Sequence, residues 1–197
     1  MLPELKPVTL EGAHVRLEPL SLSHLEGLCA VGLDSELWQW VPTRVLDPQG
    51  MREYVESALA DQARGVSLPF ATLLRETGQV VGCTRYANVS RVDGRLEIGW
   101  TWIGKPWQRG PVNTEAKFLM LRHAFESLGC TRVELKTDGL NDKSRNAILR
   151  IGAKQEGILR RHTLTYSGRM RDTVYFGILD DEWPSVKLAL EAKLRRA

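Results

Sequence analysis

Hydrophobic and polar positions along the chain divide it into recognisable elements. Phe118, Leu121, Phe125 and Leu128 recur at helical spacing and predict one apolar helix face, with Gly129 as its stop. Asn113 or Thr114 is the expected N-cap, and Glu115 suits the positive end of that helix. Val133, Leu135 and Thr137 alternate with Arg132, Glu134 and Lys136, which predicts a strand directly after the helix. A strand over Leu96–Ile103 precedes it, and the loop WQRGP lies between. Strand, loop, helix, strand is therefore the central unit. A loop that runs into an uncapped helix start presents free backbone N–H groups, which makes it an anion site.

Upstream, Val15 and Leu17 alternate with Arg16 and Glu18 in a first strand. Ser21 or Ser23 caps a helix reaching about Leu33, with Leu22, Leu25, Leu28 and Cys29 inward. Asp47-Pro48 opens a second helix striped by Met51, Tyr54, Val55, Ala58 and Leu59, and Gly65 closes it. The period then changes. Strands are expected at Leu68–Leu74 and Gln79–Tyr86, and Asp93-Gly94 makes a hairpin turn into Leu96–Ile103. Downstream, Asn141 caps a helix whose Ala147, Ile148 and Ile151 face inward and which Gly152 stops. Ile158–Tyr166 and Met170–Leu179 form a last hairpin, and a helix from Pro184 to about Arg195 ends in a basic tail.

At 197 residues, with no long linker, the chain is read as one domain over 1–197, with 1–13 as a lead-in and 184–197 as C-terminal helix and tail. No run approaches the roughly 18 apolar residues of a membrane span. The first residues lack a signal-type apolar core, so the expected location is cytoplasmic. Cys29, Cys83 and Cys130 are widely spaced and read as reduced, buried residues. A net charge of +3 does not by itself imply a nucleic-acid partner, and it suits an anionic ligand.

Several chemistries are set aside. His14, His24, His123 and His162 are far apart with no close His or Cys partner, so no metal site is expected. There is no G-x-S-x-G elbow, no Walker A loop and no dinucleotide fingerprint.

What remains resembles a family. Glu97-Ile98-Gly99-Trp100, the loop QRGPVNTEA, the strand RVELKTD and Asn141-x-x-Ser144 occur in the order found in the GNAT N-acetyltransferases. Ile151-Gly152-Ala153-x-x-Glu156-Gly157-Ile158-Leu159-Arg160 is similar to the RimJ/RimL-like branch. The resemblance spans roughly residues 8–180. It implies an α/β (α+β) fold with a mixed, mostly antiparallel sheet, helices on both faces and a splay at the central strands. It also implies acetyl-CoA as cofactor and direct transfer of the acetyl group to a primary amine, either a protein N-terminus or a small molecule. Backbone N–H groups of Gln108, Arg109, Gly110, Val112, Asn113 and Thr114 would hold the pyrophosphate, and the backbone of Trp102 and Ile103 would pair with the pantetheine arm. Asn141 and Ser144 would contact the cofactor, with Lys143 and Arg145 as further phosphate partners.

Glu97 is the first candidate for the base, through water, and Ser144 for the acid, with Tyr166 and Tyr175 as alternatives. The plainer readings are a solvated Glu97 paired with Arg95 or another cation, and an Asn141–Ser144 helix cap that needs no ligand. The loop departs from the family pattern Gln/Arg-x-x-Gly-x-Gly/Ala: Pro111 stands at the Gly and Asn113 at the Gly/Ala, so one backbone donor is missing. That departure keeps a non-catalytic acyl-CoA sensor among the readings. Trp38 and Trp40 could bracket an acceptor. Arg160, Arg161, His162, Arg169 and Arg171 are the sole support for a nucleic-acid module, which is not expected. The sequence leaves oligomeric state open, a homodimer included.

Overall fold

The structure, a computed structural model, describes residues 1–196; Ala197, the last residue of the expected basic tail, lies outside them. Eight strands form one sheet: β1 (Leu10–Glu11), β2 (Val15–Pro19), β3 (Ser67–Leu74), β4 (Val80–Ser90), β5 (Arg95–Ile103), β6 (Arg132–Asp138), β7 (Lys154–Leu164) and β8 (Met170–Leu179). Their order is β1-β2-β3-β4-β5-β6-β8-β7, antiparallel everywhere except between β5 and β6. The helices are α1 (Leu25–Gly32), α2 (Pro48–Ala63), α3 (Pro111–Arg122), α4 (Asp142–Arg150) and α5 (Trp183–Leu194).

Two cores lie on opposite faces. One joins α1 and α2 to the sheet through Leu28, Trp38, Met51, Val55 and Trp102. The other joins α3, α4 and α5 through Leu119, Met120, Leu121, Ile148 and Leu190 to Phe70, Leu96, Val133 and Phe176. Local signals act as expected at several ends. Asp47 Oδ1 accepts the Gly50 N–H at 2.7 Å with Pro48 in the first turn of α2. Gly152, at φ +98°, takes the left-handed conformation just after α4.

Other ends differ from the expectation. The lead-in contains β1, which pairs Leu10 with Leu17. The first helix is broken into a 3₁₀ turn, Leu22–His24, and α1, and Leu22 is exposed rather than inward. β4 runs on to Ser90, and β7 starts at Lys154, before the expected Ile158. Most of β7 is exposed, so it carries little apolar alternation to mark its start. α3 begins at Pro111 with Gly110 as N-cap, so Asn113 and Thr114 lie inside the helix. Proline fits the first helical turn because its fixed φ is already helical and its missing N–H has no intrahelical role. Past Arg122 the helix widens into a π turn over His123–Ser127, and Phe125 still packs on Trp183 beside Phe118.

β5 carries the feature that shapes the centre. It pairs with β6 only at Arg95–Arg132, Leu96–Val133 and Glu97–Glu134, then the two strands part. On its other edge, Cys83 faces Trp102 and Arg85 faces Gly99, so β5 has one residue more than β4 between these pairs. Trp100 sits in this bulge at φ +49°. Counted by twos along an unbulged strand, Ile98 and Trp102 would share a face; with the extra residue between them, Trp102 joins the α1/α2 core while Ile98 and Ile103 join the α3 core.

Candidate active site

The site is assembled at the carboxyl ends of the parallel pair β5 and β6, where the chain runs into α3 and α4. Beyond Glu97 and Glu134 the facing edges of these strands are not paired with each other, so backbone donors and acceptors line an open cleft. Gln108 closes part of it, since its Nε2 donates to the Ile103 carbonyl at 2.8 Å. Arg109 follows in the left-handed region, φ +64°, a strained position for a residue with a side chain. Gly110 is extended, so the left-handed turn is made by Arg109 and not by the glycine.

No side chain caps α3 among the described residues. The N–H groups of Gly110, Val112 and Asn113 therefore sit at the helix start with no acceptor in the regular helical pattern, and Pro111 offers none. A Cβ placed on Gly110 would meet nothing within 4 Å, so the approach to this end is open. In the same pattern the Thr114 N–H falls to the Gly110 carbonyl, which leaves Thr114 out of the free set. Its buried hydroxyl instead accepts from Arg150 Nη2 at 3.4 Å, tying α4 to α3. Glu115 does not serve the helix dipole. It is 4% exposed, and its carboxylate accepts the backbone N–H groups of Ala13, His14 and Val15 at 2.8, 2.6 and 2.7 Å.

Asn141 and Ser144 open α4, where Asn141 Oδ1 accepts the Ser144 N–H at 3.0 Å. The capping role is thus present, and both side chains remain half-buried at the end of the cleft beyond β6.

Glu97 lies at the point where β5 and β6 part, 2% exposed. Its cation is Lys136, Nζ to Oε2 2.9 Å, and not Arg95, which reaches Glu134 and Asp93. Asn88 Nδ2 also donates to Oε2, at 2.7 Å. Asn88 can do so because β4 holds one extra residue between Ala87 and Ser90, and Asn88 takes φ +49° there. No donor to Oε1 is found among the described residues. A carboxylate held by one cation and one amide, with its other oxygen open, can take up a proton.

Around Glu97 runs a stack of cations and rings. Arg85 lies 5.2 Å from the rings of both Tyr54 and Trp100, and Lys136 lies 5.8 Å from Trp100 and 5.9 Å from Tyr175. Burial pushes the Tyr54 hydroxyl up and the Arg171 guanidinium down. Arg171 Nη1 donates to the Trp40 carbonyl at 3.4 Å, and Arg169 lies over the Trp40 ring while pairing with Asp138. The expected basic patch is thereby divided: Arg169 and Arg171 belong to this inner wall, whereas Arg160 and Arg161 stay exposed on β7. Trp38 is buried core against Tyr54 and Trp102, while Trp40 is half-buried beside Arg169. Tyr175 stands next to Lys136, and Tyr166 lies at the far hairpin under Arg44.

Three functional candidates had no motif to announce them. Asn88 and Lys136 are placed by the bulge and by the strand register. Lys117 gave one signal, a cation inside the otherwise buried run Thr114–Leu121. It is 5% exposed and donates to Thr101 Oγ1 at 2.5 Å and Thr84 Oγ1 at 3.2 Å.

Residues 14–154 match the acetyltransferase (GNAT) domain family. The chain belongs to the GNAT acetyltransferases. The N-acetyltransferase p20 of Bacillus licheniformis, described as uncharacterized, is 25% identical over 176 residues, 89% of this chain and 98% of that one. Among solved structures, a GCN5-related N-acetyltransferase from Brucella melitensis superposes with a TM-score of 0.91 and 32% identity, covering 98% of this chain and 88% of that chain. RimJ from Mycobacterium smegmatis, solved in complex with CoA-disulfide, gives a TM-score of 0.82 and 25% identity over 95% of both chains. This GNAT chain is accordingly an N-acetyltransferase, with the mixed sheet and RimJ-like neighbours that its sequence implies. No helix among its described residues is long and apolar enough to cross a membrane.

Proposed function

We propose that this N-acetyltransferase takes acetyl-CoA as donor and a primary α-amine, such as a protein N-terminus, as acceptor. The splay carries the reading: β5 and β6 pair at three positions, then part above an uncapped helix start. Free N–H groups at a helix terminus suit a pyrophosphate, and open strand edges suit an amide-bearing arm, so the residues fit this cofactor. Arg109, Gly110, Val112 and Asn113 would hold the phosphates, with Gln108 positioning the loop. The Trp102–Ile103 backbone would bind the arm, and Asn141 and Ser144 its other edge. When bound, the cofactor supplies a thioester carbonyl as electrophile.

Glu97 then takes the proton of the acceptor nitrogen at Oε1, directly or through one water. The Trp102 or Ile103 backbone N–H meets the developing oxyanion. The pair with Lys136 holds the Glu97 carboxylate in place. An α-amine near pKa ~8 needs little from it, whereas a lysine side chain near ~10.4 needs far more. That contrast favours N-terminal amines over lysine. Arg169, Arg171 and the exposed edge of Trp100 line the acceptor side.

Calorimetry with CoA, followed by thiol release from acetyl-CoA over a panel of N-terminal peptides, free lysine derivatives and small amines, tests the reading. CoA binding with release specific to α-amines supports it. Binding with no release over the whole panel would overturn the enzymatic reading in favour of an acyl-CoA sensor.

A further inference from the structure

The Lys117 site has no place in the transfer described above, yet it is costly to keep. An ammonium buried without a counter-ion loses its hydration, and two hydroxyls return only part of it. A methionine would fill the same space more cheaply. The groups facing Nζ are Thr84 on β4, Thr101 on β5 and, more distantly, the thiol of Cys83 on β4. Burial raises Cys83 itself, so that thiol stays neutral. Glu115, two residues back on α3, turns away to bind Ala13–Val15.

The cluster is directional. Lys117 and Thr84 are buried at 5% and 1%, whereas Thr101 is half-exposed. Thr101 belongs to the bulged part of β5, past the point where pairing with β6 ends. Both hydroxyls accept from Nζ. Thr84 Oγ1 and Thr101 Oγ1 are 2.8 Å apart, so one hydroxyl donates to the other, and the next acceptor for Thr101 among the described residues, the Gly99 carbonyl, lies at 3.4 Å. Thr101 is the half-exposed member of the cluster, so its hydroxyl is the one a ligand at β5 can reach.

Resting on the acyl-CoA reading, we propose that Lys117 is a positioning residue for the transfer: acting through the Thr101 hydroxyl, it keeps a proton and a positive charge beneath the open edge of β5, where the leaving sulfur is protonated. Thr101 passes its hydroxyl proton to the sulfur as the carbon–sulfur bond breaks with its electron pair. Lys117 refills the Thr101 oxygen from Nζ and becomes a neutral amine. The acceptor nitrogen gives its surplus proton to Glu97 and so to solvent, and solvent returns one to Lys117 through Thr101. Protons thus balance over a turnover. Burial brings the Lys117 ammonium down to about 7, so it can give up and regain a proton near neutral pH.

The test follows the ultraviolet thiolate absorbance of bound CoA against pH, which reads the site without turnover, together with kcat. In the parent protein the bound thiol and Lys117 should titrate as a pair, the thiolate appearing at least one pH unit below free CoA because it holds the ammonium charged. In Lys117→Met and Thr101→Val it should return to the free value. kcat should fall about 100-fold with KM for acetyl-CoA little changed, and the double variant should fall no further. Thr101→Ser, which keeps the hydroxyl, should recover most of the Thr101→Val loss. If both variants bind CoA with the parent's thiol titration, this proposal is overturned while the acyl-CoA reading stands. Parallel loss in Ser144→Ala but not in Thr101→Val would assign the proton to Ser144 and overturn it equally. Absence of CoA binding in the parent would overturn both readings.

Discussion

Glu115 Oε2 accepts the backbone N–H of Val15 at 2.7 Å, which fastens the first turns of α3 to the start of β2 from 100 positions away. The same carboxylate holds Ala13 and His14, so one side chain satisfies three successive backbone donors. Glu115→Ala should leave those donors without an acceptor and cost about 3 kcal/mol or more. Urea unfolding measures it. Gly12→Ala should cost a comparable amount, because its Cβ would fall 2.3 Å from the Glu115 carboxyl carbon. Since both act on one contact, the double variant should lose less than the sum of the two.

Glu97 and Lys136 give a separable pair of expectations. Glu97→Gln should lower kcat about 100-fold at neutral pH with cofactor binding retained, read by thiol release and calorimetry. Lys136→Met should cost about 3 kcal/mol in stability, because it leaves a buried carboxylate without its cation. Adding Glu97→Gln to Lys136→Met should restore part of that loss in the same unfolding assay.

Lys117 makes stability depend on pH in a stated direction. Its folded-state pKa, about 7, is below the ordinary lysine value of 10.5. Between these values the unfolded chain binds more protons than the folded one, so stability rises with pH across the interval. The penalty is full below about pH 7 and fades toward 10.5. Lys117→Met should therefore be the more stable protein near pH 6, by a few kcal/mol at about 1.4 kcal/mol per pKa unit. That advantage should shrink when the denaturation is repeated near pH 9.5.

Pro111 withholds one N–H from the helix start. Pro111→Ala should add a donor there and tighten CoA about fivefold, the yield of one hydrogen bond worth roughly 1 kcal/mol. Titration calorimetry at fixed ionic strength checks this.

Elements fixed by short-range chemistry were readable in the sequence. Asp47-Pro48, Asn141 and Gly152 act through bonds made within a few residues, so composition alone locates them. The order of strands and helices, and with it the family, follows from such signals. The start of α3 was misplaced because Asn113 is a good cap in isolation, while Pro111 and the open Gly110 set the true boundary. Glu97 was found as a carboxylate on a strand. Its partners were not, because Lys136 comes by register from β6 and Asn88 from a bulge that no glycine or proline marks. Lys117 was legible only as an anomaly, since its meaning depends on two threonines from different strands.

The additional residue at Trp100 has a consequence for how this chain can vary in length. Deleting Trp100 would remove the bulge yet leave Gly99 opposite Arg85 and Trp102 opposite Cys83, so both cores would keep their residues. What the shorter strand would lose is the ring that now lies against Arg85 and Lys136. The turn between β3 and β4 can change length with no comparable loss. The extra residue therefore serves the site and not the cores.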